Sequence, residues 1–493
     1  MRYFIYFILS ALFIYFTKLP VNPYFISSWM VIFVLIGFWS FIDSFIKENE
    51  IGIIYTVFSG IGIVVLLLLV FFNSEIFRAK DYTRILQIKE INSTKVIVSK
   101  PEKIRKVTFK MALNKANKIL GKNINGVLIN TQYEISDNDK AIIMYKGNEY
   151  WLLPLQYSSF FKWIGNNNIP GYILVDAINP NADPIFVNKA FKYSPSAYFE
   201  TNVNRKMWEN SNLGLFDYHP EIDEKGDLYY IGVTYKYKIL GNVFIPDKII
   251  ILNASNGNSK KIKYEEFIKT KKYTWIDKIL PEYIIKDYIE WYGKYQEGFW
   301  NTVFEQKNIT VPTEYNESEI WLVENKLDKY LKWFTGMTSI NSKDNSLAYG
   351  VMIDSRTLTM YKINDLNNIT DEQGAIHAIE SKLGANAIQW KPVLPLPIII
   401  NKHFYWTTSI ISKNTDIYQK TAIVKGNNIS EVIIGNTLKE IINNILTNNL
   451  TNIKNKKLSV KQQLQIKMKK LKKDLKIINQ NINEIEKIIE KLN

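Results

Sequence analysis

The densest group of reactive side chains lies in the segment FDYHPEIDEKGD, residues 216–227. Its potential ligands are Asp217, His219, Glu221, Asp223, Glu224 and Asp227. Carboxylate oxygens suit a hard cation, but their spacing here differs from that of a calcium-binding loop. The stretch DEKGD also predicts a hairpin turn, because Asp and Gly tolerate the backbone angles of a turn. The sequence therefore leaves two hypotheses: a plain turn, which is favoured, and a metal site formed by Asp217, His219 and Asp223.

Familiar catalytic and cofactor-binding patterns do not occur in this sequence. The patterns G-x-x-x-x-G-K-[ST], G-x-G-x-x-G, H-E-x-x-H and G-x-S-x-G are all missing. The three histidines, His219, His377 and His403, are far apart along the chain. Since there is no cysteine, disulfides, thiolate zinc sites and a cysteine nucleophile are excluded. We therefore nominate no catalytic residue and expect no cofactor.

The chain is strongly basic, with a formal net charge of +15 over 493 residues and a pI near 9.3. A positive surplus favours anionic partners such as lipid headgroups or an anionic envelope polymer. Much of the surplus lies in residues 454–493, which hold 12 lysines and 4 acids. Because these lysines are not interleaved with the aromatic residues of the rest of the chain, nucleic acid is disfavoured as a partner.

Three uncharged apolar blocks, residues 3–17, 26–42 and 51–72, occupy the amino-terminal region. A spanning helix needs ~20 mostly apolar residues, with a lower limit near ~17. The third block meets this requirement, the second does so with its flanks, and the first is short. We predict three transmembrane helices within residues 1–75, with a signal peptide as the alternative for the first block. The basic residues that flank the blocks support the two orientations almost equally.

Pairs of adjacent aromatic residues recur at the heads of predicted strands. The pairs are Tyr150-Trp151, Tyr229-Tyr230, Trp333-Phe334 and Tyr405-Trp406. Each pair is followed, 19 to 25 residues later, by a polar turn that begins at Asp176, Asn253, Asp354 or Lys425. Apolar, β-branched runs broken by such turns predict antiparallel hairpins. Because a feature that recurs in each unit is best explained by packing, we interpret the aromatic pairs as residues that pack each unit rather than as ligand sites.

Helices are predicted before two of these strand sets. The segments FKMALNKANKILG (109–121) and EQGAIHAIESKLG (372–384) can be aligned on their final Leu-Gly. Their small and apolar residues recur at helical spacing and form one face. Gly121 and Gly384 then stand where the end of a helix favours a left-handed residue.

Two further helices are predicted before the remaining strand sets. Residues 281–304 predict one long aromatic helix, and residues 196–210 give a weaker helical pattern. The aromatic side chains of 281–304 could form an exposed platform for sugar or peptide. Burial between two units is the favoured alternative.

The unit of a helix followed by antiparallel strands resembles PepSY-type, cystatin-like repeats. The resemblance rests on the Leu-Gly helix ending and on Asp176-Ala or Asp354-Ser at the return turn. Three runs are similar to bacterial and large-phage membrane proteins with no assigned activity: IPGYILVDA (169–177), WFTGMTS (333–339) and LAYGVMIDSRT (347–357). The resemblance covers roughly residues 75–435. It implies an extracytoplasmic body that binds or inhibits partner proteins, and it transfers no functional residue to this chain.

The predicted fold class is α+β. An amino-terminal three-helix transmembrane region precedes tandem modules, each a helix plus an antiparallel sheet, and a carboxyl-terminal coiled coil follows them. We assign the modules to residues 76–195, 196–275, 276–365 and 366–445.

The sharpest periodicity in the chain predicts a coiled coil over residues 458–493. Its seam steps alternately by four and three residues through Leu464, Met468, Leu471, Leu475, Ile478, Ile482, Ile485, Ile489 and Leu492. Isoleucine at both seam positions of the second half favours trimers or larger assemblies. The alternative is an amphipathic helix that packs on the body. The preceding residues 446–457 predict a polar linker.

Three functional hypotheses follow from these patterns. The first is a non-enzymatic, multi-pass membrane protein with an extracytoplasmic interaction body, which forms homo-oligomers and binds a protein or an anionic envelope polymer. The second is a cell-envelope hydrolase or transferase that acts on a polymer between the modules, and it requires a cleft with converging carboxylates of perturbed pKa. The third, an oligomeric channel component, is disfavoured because the spans lack the polar residues of an ion pathway.

Overall fold

The structure, a computed structural model, describes residues 2–47, 50–121, 123–124, 127–313, 320–340, 345–457, 464–465, 467–469, 471–472, 474–475, 478–479 and 482. The chain divides into two compact units, Met1–Ile434 and Gly435–Asn493. The helices are α1 (Arg2–Thr17), α2 (Ile26–Lys47), α3 (Glu50–Phe72), α4 (Glu75–Tyr82), α5 (Ser93–Val96), α6 (Phe109–Leu120), α7 (Phe160–Gly165), α8 (Val203–Asn210), α9 (Tyr264–Phe267), α10 (Glu282–Lys294), α11 (Phe299–Val303), α12 (Glu372–Leu383) and α13 (Leu438–Lys457).

The strands, like the helices, are numbered in the order of the chain. They are β1 (Gln87–Ile91), β2 (Asn123–Ile124), β3 (Val127–Leu128), β4 (Tyr133–Ile135), β5 (Ala141–Tyr145), β6 (Asn148–Tyr157), β7 (Tyr172–Asp176), β8 (Ile185–Val187), β9 (Phe216–Ile222), β10 (Leu228–Ile239), β11 (Val243–Asn253), β12 (Ser259–Lys263), β13 (Thr310–Pro312), β14 (Trp321–Val323), β15 (Lys332–Ser339), β16 (Leu347–Asp354), β17 (Thr359–Ile363), β18 (Trp390–Ile400), β19 (His403–Ser412), β20 (Tyr418–Lys425) and β21 (Asn428–Gly435). The fold is therefore α+β, with amino-terminal helices followed by several antiparallel sheets.

Among the described residues, two amino-terminal helices are long and apolar enough to cross a membrane. They cover Ile26–Ile46, within α2, and Glu50–Phe72, which is α3. Helix α1 is apolar but has only 16 residues. At ~1.5 Å per residue it is about 24 Å long, which is less than the ~30 Å hydrocarbon core. Length and composition thus support two of the three predicted spans.

The amino-terminal helices are attached to the body by hydrogen bonds with α8 and with the hairpin of β10 and β11. The Trp208 indole donates to the Leu19 carbonyl at 3.1 Å, just beyond the end of α1. The backbone N–H of Ile26, at the start of α2, donates to the Tyr237 hydroxyl at 3.0 Å. The Asn242 side chain donates to the carbonyl of Val70, near the end of α3. Because α1, α2 and α3 alternate in direction, these three helix ends all meet the body on one side.

Each predicted aromatic pair lies in the inner part of an antiparallel sheet. The four runs of neighbouring strands that contain them are β5-β6-β7-β8, β9-β10-β11-β12, β14-β15-β16-β17 and β18-β19-β20-β21. In addition, β4 pairs with β6, β13 pairs with β15, and β1 joins β17 in parallel. A helix precedes each run, namely α6, α8, α10 and α12. The order of a helix followed by antiparallel strands therefore recurs along the chain.

Three of the four residues predicted to begin the return turns do so through their own side chains, whereas Lys425 ends β20 and its side chain bonds Glu431 instead. Asp176 Oδ1 accepts from the N–H of Ile178 at 2.8 Å, and Asn253 Oδ1 accepts from that of Ser255 at 2.9 Å. Asp354 Oδ1 accepts from the N–H two residues later at 2.8 Å. A short side-chain acceptor that bonds its own backbone two residues on is the reason that Asp and Asn favour turns.

Helices α6 and α12 match their predicted segments at both ends. Their N-cap side chains, Thr108 and Asp371, accept from backbone N–H groups in the first turn. Gly384 has a positive φ of 55°, as predicted, although its ψ of −125° differs from that of a left-handed cap. The same prediction is wrong for Gly121, whose φ is −73°. Its N–H still bonds the Asn117 carbonyl, so the helical geometry continues through this glycine.

The aromatic segment 281–304 contains two helices rather than one. Between α10 and α11 the chain turns at Gly298, whose φ of 90° is incompatible with a continuous helix. Tyr288 and Tyr292 of α10 are buried in a hydrophobic core, as the favoured alternative predicted. The rings near α11 behave differently, since Trp300 and Phe304 are exposed. The weaker segment 196–210 is helical from Val203 to Asn210.

The sheet that contains β10 and β11 is covered on both faces. Tyr230 and Ile250 belong to one buried cluster, with α6 and β6, whereas Ile231 and Ile249 belong to another, with α10 and β16. Successive side chains of a strand point to opposite faces, so an apolar residue is needed at every position. This explains the continuous run KIIIL in β11.

The carboxyl-terminal unit is helical from Leu438 onward wherever it is described. Helix α13 runs through residues 446–457, so the prediction of a linker there is wrong. Leu446, Leu450 and Ile453 recur at steps of four and three, which is helical spacing. The seam residues from Leu464 to Ile482 are helical and exposed. Ile485, Ile489 and Leu492 lie outside the described residues, and the coiled coil stays a prediction.

Candidate functional site

The acidic segment 216–227 forms a strand and a hairpin turn. Asp223 Oδ1 accepts from the N–H groups of Lys225 and Asp227 at 3.0 and 2.8 Å, which closes the turn between β9 and β10. Asp217 instead accepts from the hydroxyls of Tyr235 and Tyr283 at 2.5 and 2.6 Å. Within the part of the chain that the structure describes, no group of three or more His, Asp or Glu could hold a metal ion. The structure does not bring Asp217, His219 and Asp223 together as ligands.

Two acids that sequence reasoning did not pair meet in the interior. Glu221 of β9 is 0% exposed and Asp277 is 2% exposed. Burial raises the pKa of Glu221 to about 7, and burial together with the charge of Glu221 raises the pKa of Asp277. Lys278 and Arg356 partly offset this repulsion. The pairing could not be predicted because the two acids are 56 positions apart and belong to different predicted modules.

The pKa values of these two acids are perturbed, as expected of catalytic carboxylates, but a substrate has no access to them. The Asp277 carboxylate accepts from the backbone N–H of Met144, and Glu221 lies 3.3 Å from the imidazole of His219. Burial, followed by the charge of Lys278, lowers the pKa of His219, which keeps this imidazole neutral. A polymer substrate cannot reach carboxylates that are enclosed in this way. We therefore interpret the group as a structural polar network.

One hollow in the body, which we call the central cavity, has a volume of about 460 Å³. Its lining includes the polar and aromatic residues Arg105, Thr108, Phe109, Lys140, Trp151, Lys278, Glu282, Trp321 and Trp333, with apolar residues such as Ile142, Leu322 and Val393. The first, third and fourth predicted modules all contribute to it. Its volume lies within the ~300–1,000 Å³ range of ligand pockets.

Arg105 is the most buried basic residue of the central cavity. Its Nη1 lies 2.9 Å from Glu149 Oε1, and both side chains are buried. Its guanidinium carbon lies 5.9 Å from the ring centroid of Trp151. Burial raises the pKa of Glu149, and Arg105 opposes this rise. Among the described residues, the buried Nε of Arg105 has no hydrogen-bond partner.

A second ion pair continues the same charged group. Lys103 Nζ lies 2.8 Å from Glu324 Oε2. Burial raises the pKa of Glu324 to about 7, although Lys103 lowers it. The segment that carries Lys103 and Arg105 thereby links β6, where Glu149 lies, to the residue that follows β14. Lys103 thereby joins the first predicted module to the third beside the cavity, whereas the pair of Arg105 and Glu149 lies within the first.

The tryptophans of the aromatic strands do not all have the same role. The Trp151 indole donates to the Val107 carbonyl at 2.8 Å, and the Trp406 indole donates to the Thr370 carbonyl at 2.7 Å. Each acceptor directly precedes the N-cap of its helix, α6 or α12, so these indoles fasten strand to helix. The Trp333 indole N–H is buried without a hydrogen-bond partner among the described residues. Trp333 lines the central cavity instead.

Further basic and aromatic side chains line the cavity. Lys140 Nζ lies 3.6 Å above the ring centroid of Phe109, and burial lowers the pKa of Lys140. Lys278 Nζ donates to the Ile142 carbonyl at 3.0 Å. Such a lining can hold a flat anionic group by stacking and by charge-assisted hydrogen bonds.

A larger hollow of about 770 Å³ lies among α1, α2 and α3. Its walls are mostly apolar, and the ion pair between Arg2 and Asp43, 3.1 Å long, lies at one end. In a membrane, a groove between apolar helices is filled by lipid chains. We therefore take the central cavity as the candidate functional site.

Comparisons with known proteins do not place the chain in a family. No protein-family model matches it, and no curated protein matches it. A solved structure, cobalt-substituted Synechocystis ACO, aligns with 61% of this chain and 50% of its own at 8% identity, with a TM-score of 0.13. That similarity is too low to indicate a shared fold.

Proposed function

We propose that this chain is a non-enzymatic, membrane-anchored interaction protein that holds an anionic, ring-bearing group of its partner in the central cavity. The observation that carries the proposal is the pair of buried donors, Arg105 Nε and Trp333 Nε1, which lack partners among the described residues beside a basic, aromatic lining. A buried donor without a partner is unfavourable by ~1–3 kcal/mol, so a ligand acceptor that satisfies it would gain affinity.

Anchoring and orientation are part of the same proposal. Two apolar helices of spanning length are attached to the body by hydrogen bonds at their ends. We further propose that the shorter α1 is a third span and that the body is extracytoplasmic, as the resemblance to PepSY-type repeats implies. This part of the proposal rests on the order of a helix followed by antiparallel strands, which recurs along the chain.

Binding of 2-naphthoate, a flat anion, tests the cavity. We expect saturation-transfer NMR on the full chain in lipid nanodiscs to detect binding, with weaker binding of neutral 2-naphthamide. Lys140→Gln and Trp333→Phe should each lower the affinity about 5-fold, because ~1 kcal/mol of lost ion pairing or hydrogen bonding corresponds to that factor.

Lys146→Gln is the matched control for Lys140→Gln. Lys146 also lies over an aromatic ring, 5.0 Å from the centroid of Tyr145, but it does not line the cavity. It should leave the affinity unchanged. Equal affinities for the acid and the amide, or no effect of Lys140→Gln and Trp333→Phe, would contradict the proposal.

We also propose that the carboxyl-terminal helix forms homo-oligomers. The described seam residues are exposed within a single chain, which is unfavourable unless a partner helix covers them. Light scattering in detergent should therefore report a trimer or larger assembly, and Leu471→Ser with Ile478→Ser should reduce it to a monomer. Lys472→Ser with Asn479→Ser, at neighbouring positions outside the seam, should not. A monomeric wild-type chain would refute this part.

A further inference from the structure

Two exposed aromatic patches lie at the side of the body where the apolar helices enter. The first contains Phe161, Ile164 and Phe199, and the second contains Phe77, Trp300 and Phe304. We call these six residues the aromatic collar. Phe161 is 80% exposed and Phe304 is 75% exposed.

The first patch is placed by its contacts with α8. The Trp163 ring lies 5.8 Å from that of Phe199, and its indole donates to the Thr201 hydroxyl at 3.2 Å. Helix α8 begins two residues later. From it, the Arg205 guanidinium lies 3.6 Å over the ring of Tyr15, inside the last turns of α1. Arg205 is six positions after Phe199, so the Cα atoms of these two residues lie at most ~20 Å apart, which places the patch near the end of this apolar helix.

The second patch is placed by α4, which follows α3 after only two residues. The Phe77 ring lies 5.3 Å from that of Phe71 and 5.4 Å from that of Phe72, at the end of α3. Helix α11 packs on α4, and its Trp300 ring stacks on Phe304 at 5.9 Å. Both patches therefore flank the point where the chain leaves the apolar helices.

Basic residues accompany the first patch. Lys162 lies between Phe161 and Trp163 in α7, and Lys18 lies close enough to Arg205 for the two charges to interact. Burial, followed by the charge of Arg205, lowers the pKa of Lys18. Aromatic rings flanked by basic side chains are typical of the headgroup region, where rings enter the apolar boundary and cations meet anionic lipid.

We propose that the aromatic collar inserts into the headgroup region of the same bilayer that holds the apolar helices, so that the body lies on the membrane surface. The inference rests on the membrane anchoring in the proposed function. It identifies lipid as the partner of two surfaces that would otherwise expose large rings to water. The continuity of both patches with the helix ends favours lipid over a second protein.

The absence of cysteine from the chain allows a direct test, since any single introduced cysteine can carry a nitroxide label. The full chain would be placed in nanodiscs that contain phosphatidylglycerol, and collisions of each label with oxygen and with a nickel chelate would be measured by electron paramagnetic resonance. Phe161→Cys and Phe304→Cys test the collar. Phe58→Cys, at an exposed position of α3, marks the bilayer interior, and Ile388→Cys, 80% exposed beside β18, marks the aqueous phase.

We expect the two collar labels to collide with oxygen more and with nickel less than the Ile388→Cys label, by several-fold. If the collision rates of the collar labels match those of the Ile388→Cys label, while the Phe58→Cys label collides mainly with oxygen, the collar inference is overturned. The membrane anchoring by the apolar helices would then still be supported. An aqueous Phe58→Cys label would overturn the anchor itself. Low accessibility of the collar labels to both reagents would show that protein, such as a second copy, covers the patches, and would overturn the assignment to lipid.

Discussion

Replacing Arg105 with methionine is expected to lower the free energy of unfolding by about 3–5 kcal/mol. The reason is that Glu149, 1% exposed, would keep a buried charge without its partner. The measurement is denaturant unfolding of the full chain in detergent, followed by tryptophan fluorescence. The effect should exceed that of losing the half-exposed partner of a neighbouring pair, as in Lys103→Met.

The matched control replaces both members of the pair. Arg105→Met with Glu149→Met removes the two charges together and should recover most of the lost stability, because a buried ion pair is worth little more than apolar side chains of similar size. If the double variant is as unstable as Arg105→Met alone, packing and not the unpaired charge explains the loss.

The same variant should show a distinctive pH dependence. Burial raises the pKa of Glu149 above its unfolded value, and the loss of Arg105 removes a group that opposes this rise. The folded variant therefore binds a proton that the unfolded chain releases, and its stability increases as the pH falls toward ~4.5. The difference from wild type should accordingly shrink at acid pH. A deficit that is constant between pH 5 and 8 would contradict the electrostatic explanation.

Replacing Trp406 with alanine is expected to cost about 3–5 kcal/mol of stability. Trp406 is among the largest fully buried side chains, and its ring contacts those of Phe334 and Phe404 at 6.0 and 5.0 Å. Removal of this ring leaves a cavity between β19 and β15 and frees the Thr370 carbonyl. Denaturant unfolding again measures the effect.

Two further variants separate the contributions of Trp406. Trp406→Phe keeps most of the ring but loses the hydrogen bond to Thr370, so about 1–3 kcal/mol should be lost. Trp300→Ala serves as the exposed control and should change stability by less than about 0.5 kcal/mol. If Trp406→Ala and Trp300→Ala lowered the free energy of unfolding equally, the assignment of Trp406 as a residue that packs a strand against a helix would be refuted.

Several local features could be predicted from particular residues. Thr108 and Asp371 mark where α6 and α12 begin, because their side chains cap the first turn. Asp176 and Asn253 mark return turns for the same kind of reason, a hydrogen bond to the backbone two residues away. These signals can be recognised in the sequence because the side chain and the backbone group that it bonds are only a few residues apart.

The predictions from sequence failed where the local pattern of residues was compatible with two different structures. Residues 281–304 have a helical pattern throughout, yet a left-handed Gly298 divides them and separates the buried Tyr288 from the exposed Phe304. Residues 446–457 read as a polar linker because of their Asn and Thr content, yet three apolar residues at helical spacing place them in α13. In both cases, composition and periodicity gave conflicting signals over a short range.

The sequence by itself determined the apolar amino-terminal helices, the aromatic strands and the polar turns, since each depends on neighbours in the chain. Only the tertiary structure decided that Arg105 meets Glu149, that Glu221 meets Asp277, and that Trp333 lines a cavity while Trp151 fastens a helix. These outcomes depend on how separate sheets pack against one another. Periodicity specifies which face of a strand is buried, but it does not specify which distant side chain that face will meet.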